Sequence, residues 1–525
     1  MIASPNTAQS APLVKPAFHA AEKAGLLVAV GLFLLRLVYL SSPDLFPEEA
    51  YYWNYAQHLD FGYLDHPPMV GWLIYLGTAI CGNGEFGVRV FALVCSLITT
   101  LFAYRTASFF FGRRGGIMGM LLAQALPFFF MTGLMITPDS SLTACWAGML
   151  YFLTRVIFAQ SARAWLGVGI CLGLGMLSKY TIALLGPATL LFLLLDPPSR
   201  FWFRRAAPYA AVLLAALIFS PVVVWNAQHH WASFAFQTGQ RIAAHTDFSL
   251  HELAASVLLF LTPVGVLAAI QYLRGRSKLP QLSGRPVADN ARFLLFTRVY
   301  VLMPLAIFVL FSFQHTVKLN WTGPLWLALL PMLAAQLSDP ASGRLLRRGW
   351  IASIAVFGLL YVALLNYLSV AIPHLPYFSK TELLPVGWAE MGLALSQQKA
   401  ACSQATGAKT IVVGLDRNFI ASEAAFYQTD QTQAVRETTG AHLFGSPGLM
   451  YESWLPAKDQ AGATLLLVSF NEKDLKRNRL RTQCEQLGPI QQYWVEHNGV
   501  RIRPYYTRIA YNYSCEQKST LAQEK

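Results

Sequence analysis

Residues Ala207 to Trp225 read APYAAVLLAALIFSPVVVW, a run of side chains without a single charge. A helix of this length rises about 28 Å, close to the ~30 Å hydrocarbon core of a membrane. Comparable apolar segments recur along the chain, and the full set is 25–41, 86–110, 116–134, 140–158, 164–178, 181–195, 207–225, 253–273, 294–313, 322–337 and 351–371. These segments predict an all-α polytopic membrane protein with about eleven transmembrane helices.

The composition agrees with a membrane protein. Of the 525 residues, 55% are hydrophobic and 13% are charged, whereas soluble proteins have about 25% charged residues. The net charge is +13, and residues 1–371 hold 24 Lys and Arg against 13 Asp and Glu. This surplus falls in short loops between apolar segments, as in the cytoplasmic loops of membrane proteins. The charge therefore indicates topology, and it argues against a nucleic-acid-binding protein.

Basic loops alternate along the chain with loops that carry acidic residues. The cations predicted to face the cytoplasm are Arg113, Arg114, Arg155, Arg163, Arg200, Arg204, Arg205, Arg274, Arg276, Lys278, Arg285, Arg292, Arg344, Arg347 and Arg348. With a cytoplasmic N-terminal tail (1–24) and eleven crossings in the transmembrane domain (25–371), the remainder (372–525) is predicted to be periplasmic. The first apolar run contains Arg36 and lacks a small-residue cleavage site, so we expect it to remain as the first helix.

The first outer loop, 42–85, is long and partly apolar. Ala50 to Leu59 is predicted to form an amphipathic helix in the membrane interface. Met69 to Cys81 is too short to span a bilayer and is predicted to be a second juxtamembrane helix. The turn between them contains Asp65-His66-Pro67-Pro68.

The tail, 372–525, has the pattern of a small α/β domain. Residues 409–415 and 464–469 are apolar runs bounded by turn residues and are predicted to be buried strands. Residues 422–427 and 474–487 are predicted to be helices, and such alternation is typical of α/β domains. One disulfide among the tail cysteines is possible if the tail is extracytoplasmic, and the candidates are Cys402, Cys484 and Cys515.

Acidic residues cluster on the predicted outer face. Glu48 and Glu49 follow Pro47 just beyond the first span. On a helix start their side chains would point in different directions, so one could act as a general base while the other supports it, and partial burial would suit a base. Asp139, in Thr137-Pro138-Asp139-Ser140, lies on the same face. The alternatives are an acidic helix cap for the pair and a helix N-cap for Asp139.

Three cations, Lys179, Arg241 and Lys318, lie on the same face against the general charge bias. They could reach the membrane interface by extending their side chains, but a bound phosphate would explain all three. His66 could hold a phosphate or a metal, or it could be an exposed turn residue. A base and phosphate-binding cations on one membrane face indicate sugar transfer from a polyprenyl phosphate.

Over roughly residues 20–340 the sequence resembles the C-type glycosyltransferases that use polyprenyl-phosphate sugars, such as bacterial aminoarabinose transferases of lipid A and protein O-mannosyltransferases. The matching pieces are Glu48-Glu49-Ala50-Tyr51-Tyr52-Trp53, Tyr63 to Pro68, Thr137-Pro138-Asp139, Leu177-Ser178-Lys179, and Ser220-Pro221 through Trp225-Asn226. The resemblance implies that Glu48 occupies the position of the aspartate that is the family's proposed general base. It also implies that His66 occupies the position of a phosphate-binding Lys. It also implies a phosphate-binding role for Arg241, whereas Asp139 and Lys179 match a second family acidic residue and a family Lys in an outer loop.

These observations predict a glycosyltransferase of the bacterial inner membrane with a periplasmic site. The donor is a polyprenyl-phosphate-linked sugar, and the acceptor is an envelope lipid, glycan or protein. We predict catalytic roles for Glu48, Glu49 and Asp139, with a divalent metal as a possible cofactor. The predicted substrate contacts are His66, Lys179, Arg241, Lys318, Asp65 and Tyr51. The alternatives are a transporter or flippase for a lipid-linked or anionic substrate, and a sensor that functions through its tail.

Overall fold

The computed structural model describes residues 19–240, 247–275, 282–284, 286, 288–338, 344–370, 377 and 383–515. The membrane part is helical. Its helices are α1 (Ala20–Tyr39), α2 (Pro47–Gln57), α3 (Met69–Cys81), α4 (Glu85–Ala125), α5 (Pro127–Met131), α6 (Pro138–Ala159), α7 (Ala164–Ser178), α8 (Leu185–Leu195), α9 (Ala206–Gln228), α10 (Ala232–Ala235), α11 (Leu250–Leu273), α12 (Ala288–Ser312), α13 (Leu330–Ser338) and α14 (Arg344–Ser369). Short 3-10 turns cover Tyr180–Leu184, Pro197–Arg204, Leu319–Thr322 and Pro324–Ala328.

Within the described residues, six helices are long and apolar enough to cross a membrane. They are α4, α6, α9, α11, α12 and α14. A bent pair, Tyr180–Leu195 with Pro197–Arg204, would make a seventh span. The fold is therefore the predicted polytopic helical membrane fold, whereas the number of eleven crossings stays a prediction.

Helix α4 is two antiparallel helices rather than one. Its backbone leaves the helical region at Phe111 and Gly112, and Gly112 has φ +65°, which a glycine adopts without a steric cost. Gln124 Nε2 lies 2.5 Å from Thr100 Oγ1. In a straight helix 24 residues would separate these positions by about 36 Å, so the second half folds back on the first. The turn falls between the predicted segments 86–110 and 116–134.

The C-terminal part is an α/β domain, as predicted. Its elements are α15 (Trp388–Thr406), β1 (Thr410–Gly414), α16 (Phe419–Tyr427), α17 (Gln431–Ala434), β2 (Thr438–Thr439), α18 (Tyr451–Trp454), β3 (Thr464–Ser469), α19 (Asn478–Gln483), β4 (Cys484–His497) and β5 (Val500–Tyr513). The five strands form one sheet in the order β2-β1-β3-β5-β4. The pairs β1–β2 and β1–β3 are parallel, whereas β3–β5 and β4–β5 are antiparallel. Both faces of β1 and β3 are buried, which explains their continuous apolar runs.

One predicted helix of this domain is wrong in its last four residues. Residues 474–487 were predicted to be helical, but α19 ends at Gln483 and β4 begins at Cys484. The strand hairpin β4–β5 turns at Asn498 and Gly499, with φ values of +49° and +76°. An Asn-Gly pair is a strong signal for such a turn, so the sequence did contain this information. All seven cysteines are free, and the possible disulfide does not form.

Helix α2 lies between the membrane helices and the C-terminal domain. Its residues are buried from Glu49 through Ala56, so the prediction of an amphipathic helix in the membrane interface is wrong. Trp53 packs edge to face against Phe426 of α16, with ring centroids 5.1 Å apart. The backbone N–H of Leu45 donates to the Tyr427 hydroxyl at 2.7 Å. The C-terminal domain covers the aromatic side of this helix, and that domain is remote in sequence.

Glu423 of α16 is a buried acid at this contact between the domains. It is 1% exposed, and neither carboxyl oxygen has a hydrogen-bond partner in the part of the chain that the structure describes. Burial raises the pKa of Glu423 well above its ordinary value, and the nearby carboxylates of Asp44 and Glu49 add to the shift. Burial therefore favours the neutral form of this carboxyl group in the folded protein.

We expect Glu423→Gln to stabilise the protein at pH 8 more than at pH 6. Glu423 has a higher pKa in the folded state than in the unfolded chain, where it is about 4.3. Raising the pH above that lower value therefore favours unfolding, by up to about 1.4 kcal/mol for each pH unit. Thermal unfolding in detergent at both pH values measures the difference. An equal pH dependence for Glu423→Gln, wild type and the exposed control Glu496→Gln would contradict this assignment.

Candidate active site

The two neighbouring carboxylates at the start of α2 have different environments. Pro47 occupies the first position of the helix, and Glu49 accepts from the backbone N–H of Phe46 at 3.0 Å. Glu49 is completely buried, whereas Glu48 is exposed. Glu48 makes no hydrogen bond or ion pair within the described part of the chain. The expected divergence of the pair is therefore present, but the expectation that Glu48 is partly buried is wrong.

Glu49 forms a buried ion pair with Arg89 of α4. The distance from Arg89 Nη2 to Glu49 Oε2 is 2.7 Å, and both side chains are almost fully buried. The guanidinium also donates to the backbone oxygens of Leu40, Pro43 and Asp44, at 3.0, 2.8 and 2.5 Å. Arg89 thus holds the loop that leads into α2. Arg89 is not among the site residues predicted from the sequence, although an arginine inside an apolar segment is a usable signal.

Glu49 also fixes the segment that carries Asp139. Its Oε1 accepts from the backbone N–H of Ile136 at 2.9 Å. Thr137 then caps α6 through a hydrogen bond from the Asp139 N–H, so Asp139 is the second helical residue and not the N-cap. One buried carboxylate therefore connects the starts of α2 and α6.

The Asp139 carboxylate is part of a three-residue network. Lys179 Nζ lies 2.8 Å from Oδ1 and 3.0 Å from Oδ2, and Asn320 Nδ2 lies 2.5 Å from Oδ2. Asp139 is 3% exposed, so this ion pair lies largely out of solvent. Lys179 sits in the break between α7 and the following 3-10 turn, which directs its ammonium toward α6. Asn320 was not singled out from the sequence.

These groups meet in one cavity of about 320 Å³. Its polar lining consists of Glu48, Tyr52, His66, Thr137, Asp139, Lys179, Lys318 and Asn320. Its apolar lining comes mainly from α5, α11 and the 3-10 turn after Lys318. Five residues predicted from the sequence are thus brought together from five distant segments. Two carboxylates and two ammonium groups face the same space, and one carboxylate, Asp139, is paired with Lys179. This leaves Glu48 and Lys318 to act on a substrate.

A second cavity of about 170 Å³ adjoins the first. His66, Lys179 and Trp321 line both cavities. The described residues end at Gln240 and resume at Asp247, so they do not include Arg241. The predicted phosphate contact of Arg241 therefore lies outside the described residues.

Tyr51 and Asp65 do not line either cavity. The hydroxyls of Tyr51 and Tyr55 donate to Asp65 Oδ1, at 3.1 and 2.5 Å. Burial, with the neighbouring Asp65 carboxylate, raises the pKa of both tyrosines well above the ordinary value, which keeps them protonated as donors. The Tyr51 hydroxyl also accepts from the Met450 N–H at 3.3 Å. Tyr51 thus joins α2 to the C-terminal domain, whereas Tyr52 lines the first cavity.

A possible metal-ligand set lies elsewhere. Among the described residues, one group of His, Cys, Asp or Glu side chains has the spacing for a metal ion, and it consists of Asp44, Glu390 and His497. This group is at the boundary between the two domains and does not line the cavity. Within the cavity, the Lys179 ammonium already neutralises Asp139.

The chain is similar in sequence to known membrane sugar transferases. Residues 65–225 match the family described as dolichyl-phosphate-mannose-protein mannosyltransferase. The lipid A galacturonosyltransferase of Rhizobium johnstonii is 27% identical over 478 residues, which is 85% of this chain and 91% of the relative. An undecaprenyl phosphate-alpha-4-amino-4-deoxy-L-arabinose arabinosyl transferase of Pseudomonas aeruginosa is 28% identical over 70% of each chain. This chain resembles the C-type glycosyltransferases in sequence.

Solved structures agree with this relationship at the level of the fold. The crystal structure of ArnT from Cupriavidus metallidurans bound to undecaprenyl phosphate matches 93% of this chain and 98% of its own. The TM-score is 0.62 and the sequence identity is 17%. The C-type glycosyltransferase fold predicted from the sequence is therefore confirmed. The transporter alternative gains no support from relatives that are named as sugar transferases.

Proposed function

We propose that this protein is an integral membrane glycosyltransferase that moves a sugar from a polyprenyl-phosphate donor to an acceptor of the bacterial envelope. One observation carries the proposal: the Glu48 carboxylate, which has no ion pair within the described residues, faces a cavity that also presents Lys179 and Lys318. Sugar transfer releases a proton from the acceptor and a phosphate anion from the donor. A base and cations that line one small cavity can take up both.

The reaction needs one proton acceptor and one site for a leaving phosphate. Glu48 takes the proton from the acceptor hydroxyl or amine while that atom attacks the anomeric carbon. The bond from the anomeric carbon to the phosphate oxygen breaks, and its electron pair leaves with the polyprenyl phosphate. Lys318 and His66 bind the departing phosphate. A single displacement of this kind inverts the anomeric configuration.

Asp139 acts on Lys179 rather than on the substrate. Its two short contacts hold the ammonium in one position, with Asn320 fixing the second carboxylate oxygen. A cation that is already oriented needs no rearrangement when the phosphate charge develops. Asp139 and Glu49 are thus positioning residues, and Glu48 is the catalytic carboxylate.

The relatives support a lipopolysaccharide acceptor. One is named a lipid A galacturonosyltransferase, and a second Rhizobium johnstonii relative is named a lipopolysaccharide core galacturonosyltransferase. We infer lipid A or its core glycan as the acceptor class. The proposal places the cavity and the C-terminal domain on the periplasmic side. The charge bias of the loops supports the same orientation.

Transfer by the purified protein tests the function. The protein is incorporated into lipid with labelled polyprenyl-phosphate sugars and extracted envelope lipids, and labelled acceptor is measured. We expect transfer from at least one donor, and none to acceptors without a donor. Donor that crosses the bilayer without transfer to any acceptor would instead indicate a flippase.

Lys318→Ala is expected to weaken donor binding. A hydrogen bond to a charged group contributes about 1.5–3 kcal/mol, or a ten- to hundredfold change in affinity. Binding of polyprenyl phosphate to the purified protein in lipid measures this loss. The matched control is Lys473→Ala, because Lys473 is an exposed lysine of the C-terminal domain away from the cavity. Unchanged affinity in Lys318→Ala would remove this residue from the phosphate site.

A further inference from the structure

Three segments that are far apart in sequence meet at the boundary between the membrane part and the C-terminal domain. Asp44 lies in the loop between α1 and α2, Glu390 in the first turn of α15, and His497 at the end of β4. One possible ligand atom from each lies within 4.8 Å of the other two. None of the three lines the catalytic cavity.

His497 is buried and not fully satisfied. The residue is 7% exposed, and its Nδ1 is buried with no hydrogen-bond partner in the part of the chain that the structure describes. This atom lies 3.5 Å from Glu390 Oε1, which is an ion-pair contact if the imidazole is protonated. The other ring nitrogen, Nε2, is 3.2 Å from the Asn498 side-chain amide. With that amide turned over, its oxygen would accept from Nε2–H, which is the usual support for a histidine that binds a metal through its other nitrogen.

Asp44 contributes a second buried donor. It is 8% exposed, and its Oδ2 accepts from the backbone N–H groups of Trp388 and Ala389, at 2.8 and 3.4 Å. Those bonds orient the carboxylate toward the start of α15 and leave Oδ1 without a hydrogen bond among the described residues. Glu390 places a second carboxylate beside it, so two like charges converge on one imidazole. A divalent cation would offset this repulsion.

We propose that Asp44, Glu390 and His497 bind one divalent cation, for which zinc fits the ligand set. Two carboxylate oxygens and one imidazole nitrogen are typical zinc ligands, at about 2.0–2.2 Å. The imidazole disfavours magnesium and calcium, which prefer oxygen ligands. The Glu390 side chain is 42% exposed, and this opening provides an entry path and room for a water as the fourth ligand.

The cation would fasten the C-terminal domain to the loop that positions Glu48. The backbone oxygen of Asp44 already accepts from Arg89 at 2.5 Å, and this loop leads directly into α2, where Glu48 is the second residue. A metal at Asp44 therefore stabilises the same loop from the periplasmic side. Its role is structural, and its detection does not depend on transferase activity.

Metal content and thermal unfolding test the site. Full-length protein in detergent is stripped with a chelator, loaded with zinc chloride and freed of excess metal. We expect one zinc ion per chain and an increase in Tm. Glu390→Gln and His497→Gln should each lower zinc affinity at least tenfold and abolish the increase in Tm. Glu390 is half-exposed, so its variant keeps the fold.

The control is Glu472→Gln, which removes an exposed carboxylate of the same domain that is paired with Lys476. This variant should bind zinc like the wild type. The proposal is overturned if the wild type retains no zinc, or if both ligand variants retain it as well as the control does.

Discussion

Glu48→Gln should reduce turnover by about 10²–10⁴, the range for loss of a general base. The substitution keeps the size of the side chain and removes the group that takes the acceptor proton. Glu48 is exposed and unpaired within the described residues, so its replacement leaves no buried partner behind and the fold is preserved. Sugar transfer by the purified protein in lipid measures the effect, and polyprenyl-phosphate binding should stay unchanged.

Two variants make this result specific. Glu48→Asp keeps the carboxylate but shortens its reach by one methylene, and we expect only part of the activity to return. Glu252→Gln removes an exposed carboxylate from the first turn of α11, outside the cavity lining, and should leave turnover unchanged. Near-normal turnover by Glu48→Gln would exclude Glu48 as the base.

Arg89→Met should destabilise the protein by about 3–5 kcal/mol, the usual cost of breaking a buried ion pair from one side. The substitution leaves the Glu49 carboxylate buried without its cation and frees three carbonyl groups of the loop before α2. Thermal unfolding in detergent measures the loss, and turnover should fall with it because this loop positions Glu48.

The double variant Arg89→Met with Glu49→Gln separates the ion pair from the hydrogen bonds to the loop. It removes the orphaned charge, so we expect it to be more stable than Arg89→Met alone. The control Arg105→Met lies on the exposed side of the same helix and should change stability little. Equal Tm values for Arg89→Met and Arg105→Met would contradict the role assigned to this ion pair.

The sequence by itself determined the class of fold and much of the site. Apolar runs of membrane length predict helices because a bilayer leaves no water to bond the backbone. Segment 164–178 matches α7, and Met69 to Cys81 matches α3. Glu48 and Asp139 could also be singled out, since a charge beside a membrane span is costly without a function.

Only the tertiary structure decided which of these residues meet. Tyr51 and Tyr52 are adjacent in sequence, but the helical turn sends one to the C-terminal domain and the other to the cavity. Likewise, Glu49 forms its ion pair with Arg89, which is forty residues away in the sequence. Such partners depend on how α2, α4 and α6 pack, and the local sequence does not encode that. The burial of α2 could not be predicted from its local sequence for the same reason, because the domain that covers it begins more than 300 residues later.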